Sequence, residues 1–260
     1  RELKKLKIIL KNEYDIIHIH VPPSFPFDQL LEYFKCPYVI DLYDPSHFYS
    51  RSRLYLKSEL NAERILQEKA SGIVTKFPAS LYKKYEDIGI NLMNKPKILF
   101  PDYCSKENLF HNRSSQNVNS SLVYCGSADF PLIPKRFAGN NIFVDICRKL
   151  LENKFNVSLI SSIFNDKIIE KLLNYDYLKL KKKYKTFSLY PFIKAPKLQK
   201  VISRFDFGMQ LHDFSMTGHD PIFGETSFGN KFFTYLEAGL PIIVNEELKW
   251  NSSWVENYNV

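Results

Sequence analysis

Gly229 to Asn245 reads GNKFFTYLEAGLPIIVN, and its order of residue types sets a helix against a strand. Lys231 falls in the first turn of the helix, Gly239 stops it, and Pro241 prevents it from resuming, since proline lacks the N–H a continuing helix needs. Ile242, Ile243 and Val244 then form a short apolar run with the composition of a buried strand. A helix that begins on a cation and leads directly into such a strand is the layout of a site wall in an α/β sheet protein.

The rest of the chain extends this pattern. Apolar runs bounded by turn formers alternate with amphipathic segments, the signature of βαβ units and a parallel sheet. Strands are predicted over Asp15 to Val21, Tyr38 to Tyr43, Gly72 to Thr75 and Lys97 to Phe100, with helices over Phe27 to Phe34, Arg53 to Lys69 and Ala79 to Tyr85. After a polar stretch without periodicity, DYCSKENLFHNRSSQNVNSS, a second series begins. Its strands are Leu122 to Cys125, Val157 to Ser161, Thr186 to Leu189, Phe205 to Leu211 and Pro241 to Val244. Its helices are Ile142 to Asn153, Asp166 to Leu180, Pro196 to Ser203 and Asn230 to Ala238. The expected organisation is an N-terminal Rossmann-like domain over 1–104, a linker over 105–120 and a C-terminal domain over 121–260. The first domain opens on the tail of a helix and reaches its first strand only at Asp15, so it reads as incomplete, lacking an initial strand and its ligand-facing loop.

With 260 residues, 45% hydrophobic and 25% charged, the chain has room for two packed cores and is not a disordered protein. No run approaches the roughly 18 apolar residues of a membrane span. Cys36, Cys104, Cys125 and Cys147 show no paired spacing and read as thiols in a reducing compartment, which points to the cytoplasm. RELKKLKIILKN at the start has neither the apolar stretch nor the small-residue cleavage site of a signal peptide. The formal net charge of +8, densest at Lys179, Lys181, Lys182, Lys183 and Lys185, favours anionic partners: phosphorylated small molecules, an acidic membrane face or nucleic acid. Nucleic acid is disfavoured because the aromatic residues sit in apolar segments rather than between basic ones.

Four segments in this order resemble the GT-B-fold glycosyltransferases, in particular the mostly retaining, metal-independent group that uses nucleotide-diphosphate sugars. They are YDIIHIHVPP (Tyr14 to Pro23), CPYVIDLYDP (Cys36 to Pro45), SLVYCGSADFP (Ser121 to Pro131), and SRFDFGMQLHDF with SFGNKFFTYLEAGLPIIVN (Ser203 to Phe214 and Ser227 to Asn245). The resemblance implies an α/β protein of two Rossmann-like domains facing a cleft. Its implied activity is transfer of a sugar from a nucleotide diphosphate to a glycan or lipid-linked acceptor, in surface polysaccharide or glycoconjugate synthesis. No cofactor or metal is implied, the nucleotide sugar being a substrate; the location would be the cytoplasm, with peripheral contact to an anionic membrane at its inner face. A catalytically silent nucleotide-binding or partner subunit, or a sugar-nucleotide epimerase of the same fold, is the alternative.

On the donor side, the diphosphate needs backbone N–H groups and a nearby cation. Gly126 and Ser127 supply open backbone after the first strand of the second domain; Lys231, with Lys135 or Arg136, supplies charge. The resemblance places two sugar- and ribose-binding glutamates at positions held here by Thr226 and Thr234, which lack the strength of charge-assisted bonds. Glu225 or Glu237 is positioned to compensate, Glu237 lying about one turn from Thr234. His219 and Asp220, in the long loop after Leu211, are placed to touch the transferring sugar, or are simply polar loop residues. On the acceptor side, His18 and His20 alternate on one strand and face the same way. Asp41, Tyr43 and Asp44 end the next strand, with His47 beyond; Tyr43 stands where the group often has histidine. Asp44 and His20 are the catalytic candidates, suited to positioning or deprotonating an acceptor hydroxyl.

Overall fold

The computed structural model describes residues 2–10, 12–21, 24–49, 57–110, 120–126, 143–165, 175–211, 221–227 and 229–258. Contacts divide the chain into two units, Arg1–Pro101 with His219–Thr226, and Asp102–Gly218 with Ser227–Val260.

The first unit runs α1 (Glu2–Ile9), β1 (Ile17–Val21), a 3-10 turn (Phe27–Tyr33), β2 (Tyr38–Leu42), α2 (Ser46–Tyr49), α3 (Lys57–Lys69), β3 (Gly72–Thr75), α4 (Ala79–Asp87) and β4 (Lys97–Leu99). The strands form a parallel sheet in the order β1-β2-β3-β4. In β1 and β2 the side chains alternate as a two-residue period demands: Ile19 is buried while His18 and His20 are exposed, and Tyr38, Ile40 and Leu42 are buried between half-buried neighbours. Those inward residues join Leu66, Phe77, Leu81 and Tyr85 in one core, and Ile222 packs into it from the helix Pro221–Thr226.

The second unit contains β5 (Ser121–Cys125), α5 (Phe143–Glu152), β6 (Asn156–Ile160), α6 (Tyr175–Lys183), β7 (Phe187–Tyr190), α7 (Lys197–Ile202) and β8 (Phe207–Gln210). The helix Pro221–Thr226 of the first unit is α8; α9 (Lys231–Glu237), β9 (Ile242–Val244) and α10 (Lys249–Tyr258) return to the second. This sheet is also parallel, ordered β7-β6-β5-β8-β9. Central β5 is buried at every position, because Leu122 and Tyr124 meet Cys147 and Leu151 on one face while Val123 and Cys125 meet Phe232 and Tyr235 on the other. A strand covered on both faces has no reason to alternate, hence the continuous apolar run in the sequence.

The expected elements occur in the expected order, α2, α8 and α10 are additional, and residues 53–56, 142 and 166–174 of the expected helices lie outside the described residues. Asp15 and Ile16 precede the point where β2 becomes available, and pairing starts at Ile17. Phe27–Tyr33 is wound as a 3-10 turn by successive three-residue hydrogen bonds, among them Phe27 N–H to Ser24 O and Phe34 N–H to Leu31 O. Of the stretch 105–120, the part described as far as Phe110 is fastened to the second unit. Ser105 N–H donates to the Glu237 carboxylate at 2.7 Å and Phe110 N–H to the Glu237 carbonyl at 2.7 Å. Among the described residues no helix is long and apolar enough to cross a membrane.

Candidate functional site

In the second unit β5 is the strand from which successive connections run to β6 and β7 on one side and to β8 and β9 on the other. Ligands of open α/β sheets bind at the carboxyl ends of strands at such a switch point. A cavity of about 290 Å³ opens there, lined by Gly126, Ser161, Ser162, Phe192, Ile193, Asn230, Lys231 and Thr234 among others.

Gly126 and Lys231 are built against one another. Gly126 follows β5 with a φ of 149°, a conformation that side-chain-bearing residues rarely adopt. The Lys231 stem crosses its α-carbon so closely that a methyl group there would come within 3.3 Å of Cδ, 3.2 Å of Nζ and closer still to Cε. Lys231 Nζ stands 4.7 Å from the centroid of the buried Tyr124 ring, a cation–π distance. Its helix is pinned from beneath by Tyr235. That ring lies over Gly208, and its hydroxyl accepts from Cys125 N–H at 3.0 Å and donates to Met209 O at 3.0 Å. Burial pushes the Cys125 thiol up to about 12, the Lys231 charge pulling weakly the other way, so Cys125 is a neutral wall of the cavity and no nucleophile.

Thr234 lines the cavity, with its hydroxyl turned to Asn230 O at 3.3 Å, one turn back on its own helix. Thr226 is fully buried in α8, on the first unit, and bonds Ile222 O at 2.7 Å. The expectation that Glu237 compensates as a donor ligand is corrected. Glu237 is 6% exposed, does not line the cavity, and has both carboxylate oxygens committed, one to Ser105 N–H and the Asn108 amide and the other to the Gln199 amide at 2.6 Å. The reason lies on the opposing surface, where Ser105 N–H and the Asn108 and Gln199 amides converge on the carboxylate and hold it. Ser127, Lys135, Arg136, His219 and Asp220 lie outside the described residues.

The catalytic candidates of the first unit gather at the carboxyl end of its sheet. His20 and Asp41 are directly opposed in the β1–β2 register, and His20 Nδ1 meets Asp41 Oδ2 at 2.8 Å. The His20 ring lies 5.4 Å from that of Tyr43, and Tyr43 in turn carries the buried Lys76 ammonium 3.6 Å over its face. Asp44 is exposed and borders a small hollow with Asp41 and Tyr43. His47 does not join them: its ring donates inward, Nδ1 to Glu63 at 2.9 Å.

Some positioning residues escaped the sequence. Glu59 and Glu63, one turn apart on α3, are both buried. Glu59 accepts the N–H groups of Ser24 and Phe25, just beyond β1, and Glu63 accepts that of His47, just beyond β2. They fix the two loops that flank the cluster. Ser161, Ser162 and Phe192 were also missed, although strand ends feeding a cavity are a signal the alternating pattern offers. Among the described residues no group of three or more His, Cys, Asp or Glu side chains could hold a metal ion.

No family model matches the chain, and no curated protein matches it by sequence. Solved structures do match. Sucrose-phosphate synthase from Thermosynechococcus elongatus superposes with a TM-score of 0.63 at 12% identity over 93% of this chain and 58% of its own length. Anabaena HepE in complex with UDP and glucose gives 0.62 at 14% identity over 93% of this chain and 61% of its own. An α,α-trehalose-phosphate synthase (UDP-forming) from Burkholderia vietnamiensis gives 0.62 at 9% identity, over 98% and 67%. The chain spans about three fifths of the first two structures. The fold is GT-B glycosyltransferase-like, built of Rossmann-like parallel sheets.

Proposed function

We propose that this chain is part of a glycosyltransferase that moves a sugar from a nucleotide-diphosphate donor to a glycan or lipid-linked acceptor without a metal ion. The observation that carries the reading is Lys231 laid across Gly126 at the switch point of the second sheet. As the sugar leaves, negative charge grows on the diphosphate; a fixed ammonium beside an open glycine backbone is suited to stabilise it without a divalent cation. Ser161, Ser162 and Phe192 offer hydroxyls and an aromatic face to the nucleoside side of the ligand. HepE, a structure of similar fold, was solved with UDP and glucose, which makes a uridine diphosphate sugar the donor to try first. Activity on surface polysaccharides or glycoconjugates, at the inner face of an anionic membrane, belongs to the same proposal.

A second reading, a silent nucleotide-binding subunit, is favoured by one observation: both threonines at the carboxylate positions spend their hydroxyls on their own helices. Calorimetric titration with UDP, UDP-glucose and UDP-GlcNAc tests the first. Saturable binding that weakens about tenfold to a hundredfold in Lys231→Ala is expected, the worth of one charge-assisted contact. Absence of binding by every nucleotide, or an unchanged Kd in the variant, removes the donor-site assignment. Binding without release of UDP from any donor, in the intact gene product, favours the silent subunit.

A further inference from the structure

The second unit gathers lysines at one end of its sheet. Its strands β5, β6 and β7 are parallel, and α5 and α6 lead into β6 and β7 through short turns. Both helices cover the same face, since Cys147 and Leu151 of α5 and Tyr177 and Leu180 of α6 share one core with Val157. Their carboxyl ends therefore stand side by side at the amino edge of the sheet, opposite the cavity at Lys231. That end carries Lys149 and Lys154 from α5 and the turn after it, and Lys181, Lys182, Lys183 and Lys185 from α6 and the turn after it, all exposed.

The two groups form one surface: Arg148 and Glu152 of α5 both act on the charge of Lys183 at the end of α6. Acidic residues of these helices sit mainly at the other end. Asp145 and Asp176 occupy the first turns, where Asp145 holds Arg148 and Asp176 stands 3.9 Å from Lys179. Along α5, α6 and the turns after them, Glu152 is the carboxylate at the lysine end among the described residues. A helix dipole accounts for a lysine in a last turn. It does not account for Lys154 and Lys185, which follow the helix ends, or for three consecutive lysines whose mutual repulsion works against folding. An anionic partner relieves that repulsion.

The residue type narrows the partner. Ammonium groups are hydrated point charges without the planar fork that fits one phosphate by shape. Spread over the ends of two neighbouring helices, they suit an array of headgroups, and clusters of about four to eight such charges hold anionic bilayers. A single-stranded nucleic acid wants aromatic faces for its bases; the adjacent ring, Tyr184, is half-buried with the Lys183 ammonium 4.8 Å over it.

We infer that the lysine end of α5 and α6 is the surface through which the chain sits on an anionic phospholipid membrane, which rests on the part of the reading above that puts it at such a membrane. The contact is electrostatic, reversible and sensitive to salt.

The test uses the intact gene product with vesicles of phosphatidylcholine, alone or with phosphatidylglycerol at about one third of the lipid. Cosedimentation is expected with the phosphatidylglycerol vesicles only, at about 0.05 M salt, and is lost at about 0.5 M. Lys182→Gln, Lys183→Gln and Lys185→Gln combined should weaken the partition coefficient about a hundredfold, or about fivefold per charge. A charge-matched triple on the first unit, Lys57→Gln, Lys83→Gln and Lys84→Gln, should leave it within about threefold. No binding at low salt, equal binding to phosphatidylcholine, or an equal loss in both triples overturns the surface. So does a DNA duplex that displaces the vesicles at equal concentrations of DNA phosphate and lipid headgroup, which assigns the lysines to nucleic acid. UDP calorimetry on the same sample separates the two readings. A chain that binds UDP and no vesicle overturns this surface alone, and one that binds vesicles and no UDP upholds it while the donor site falls.

Discussion

Substituting Gly126 by alanine tests the donor site where it is tightest. The added methyl would fall 3.2 Å from Lys231 Nζ and 3.3 Å from Cδ, with Cε nearer than either, against the roughly 3.5–4.0 Å of ordinary contact. The lysine stem must therefore move by about 1 Å or more. Because the stem is flexible, the displacement itself costs little. The backbone costs more, since a φ of 149° suits glycine, and strain of about 1–3 kcal/mol in stability is expected. The larger effect falls on the ligand. Moving the ammonium out of line forfeits much of a charge-assisted contact of about 1.5–3 kcal/mol, a tenfold to hundredfold weaker UDP Kd. Calorimetry on Gly126→Ala, Lys231→Met and the double variant separates the causes. If Gly126 acts through Lys231, the double variant binds no more weakly than Lys231→Met alone. Equal UDP affinity in parent and Gly126→Ala, or full additivity of the two losses, refutes the reasoning.

Gly208→Ala would set a methyl 2.6 and 2.7 Å from the Tyr235 Cδ atoms. That ring is fully buried, so urea denaturation should show a loss of about 1–3 kcal/mol or more from overpacking. Glu237→Ala leaves the Ser105 N–H and the Gln199 amide without their acceptor. Stability should fall by about 3 kcal/mol and trypsin cleavage after Lys106 should accelerate; an unchanged digestion rate would refute the latch. Burial raises the Cys125 thiol from 9.0 to about 12 in the folded chain. Between those values the unfolded chain binds fewer protons, so this thiol's contribution is intact below pH 9 and is lost as pH rises toward 12. Cys125→Ala should flatten the fall in stability between pH 9 and 11 by about 1.4 kcal/mol per unit, read from denaturation midpoints against the parent.

Local chemistry announced much of this structure. The Lys231 to Val244 segment is helix, glycine stop and strand because each punctuating residue acts on its own neighbours, and the buried β5 shows as an unbroken apolar run. Contacts between distant segments were less legible. Gly126 and Lys231 each drew notice, but their contact joins the end of β5 to the start of α9, which no period in the sequence encodes. Glu59 and Glu63 have the one-turn spacing of a solvated acidic helix face; they are buried because loop N–H groups converge on them, information held in the loops. His20 and Asp41 were each singled out, yet only the strand register makes them a pair. Glu237 misled because spacing along a helix says which residues are near one another and not what the opposing surface offers.

The threonines at the expected carboxylate positions bear on what the donor site can select. Thr226 is buried against its own helix in the first unit, and Thr234 directs its hydroxyl to Asn230 O. Neither supplies a charge. Among the described residues that line the proposed donor cavity the charge is that of Lys231, which responds to phosphate and is indifferent to the sugar hydroxyls. A site of that kind holds nucleoside diphosphates with affinity but discriminates poorly among donors, because discrimination against a missing or inverted hydroxyl needs a buried polar partner that would be left unpaired. On the proposed donor reading, selectivity among the described residues would draw on the rest of the cavity lining, where Phe192, Ser161 and Ser162 lie.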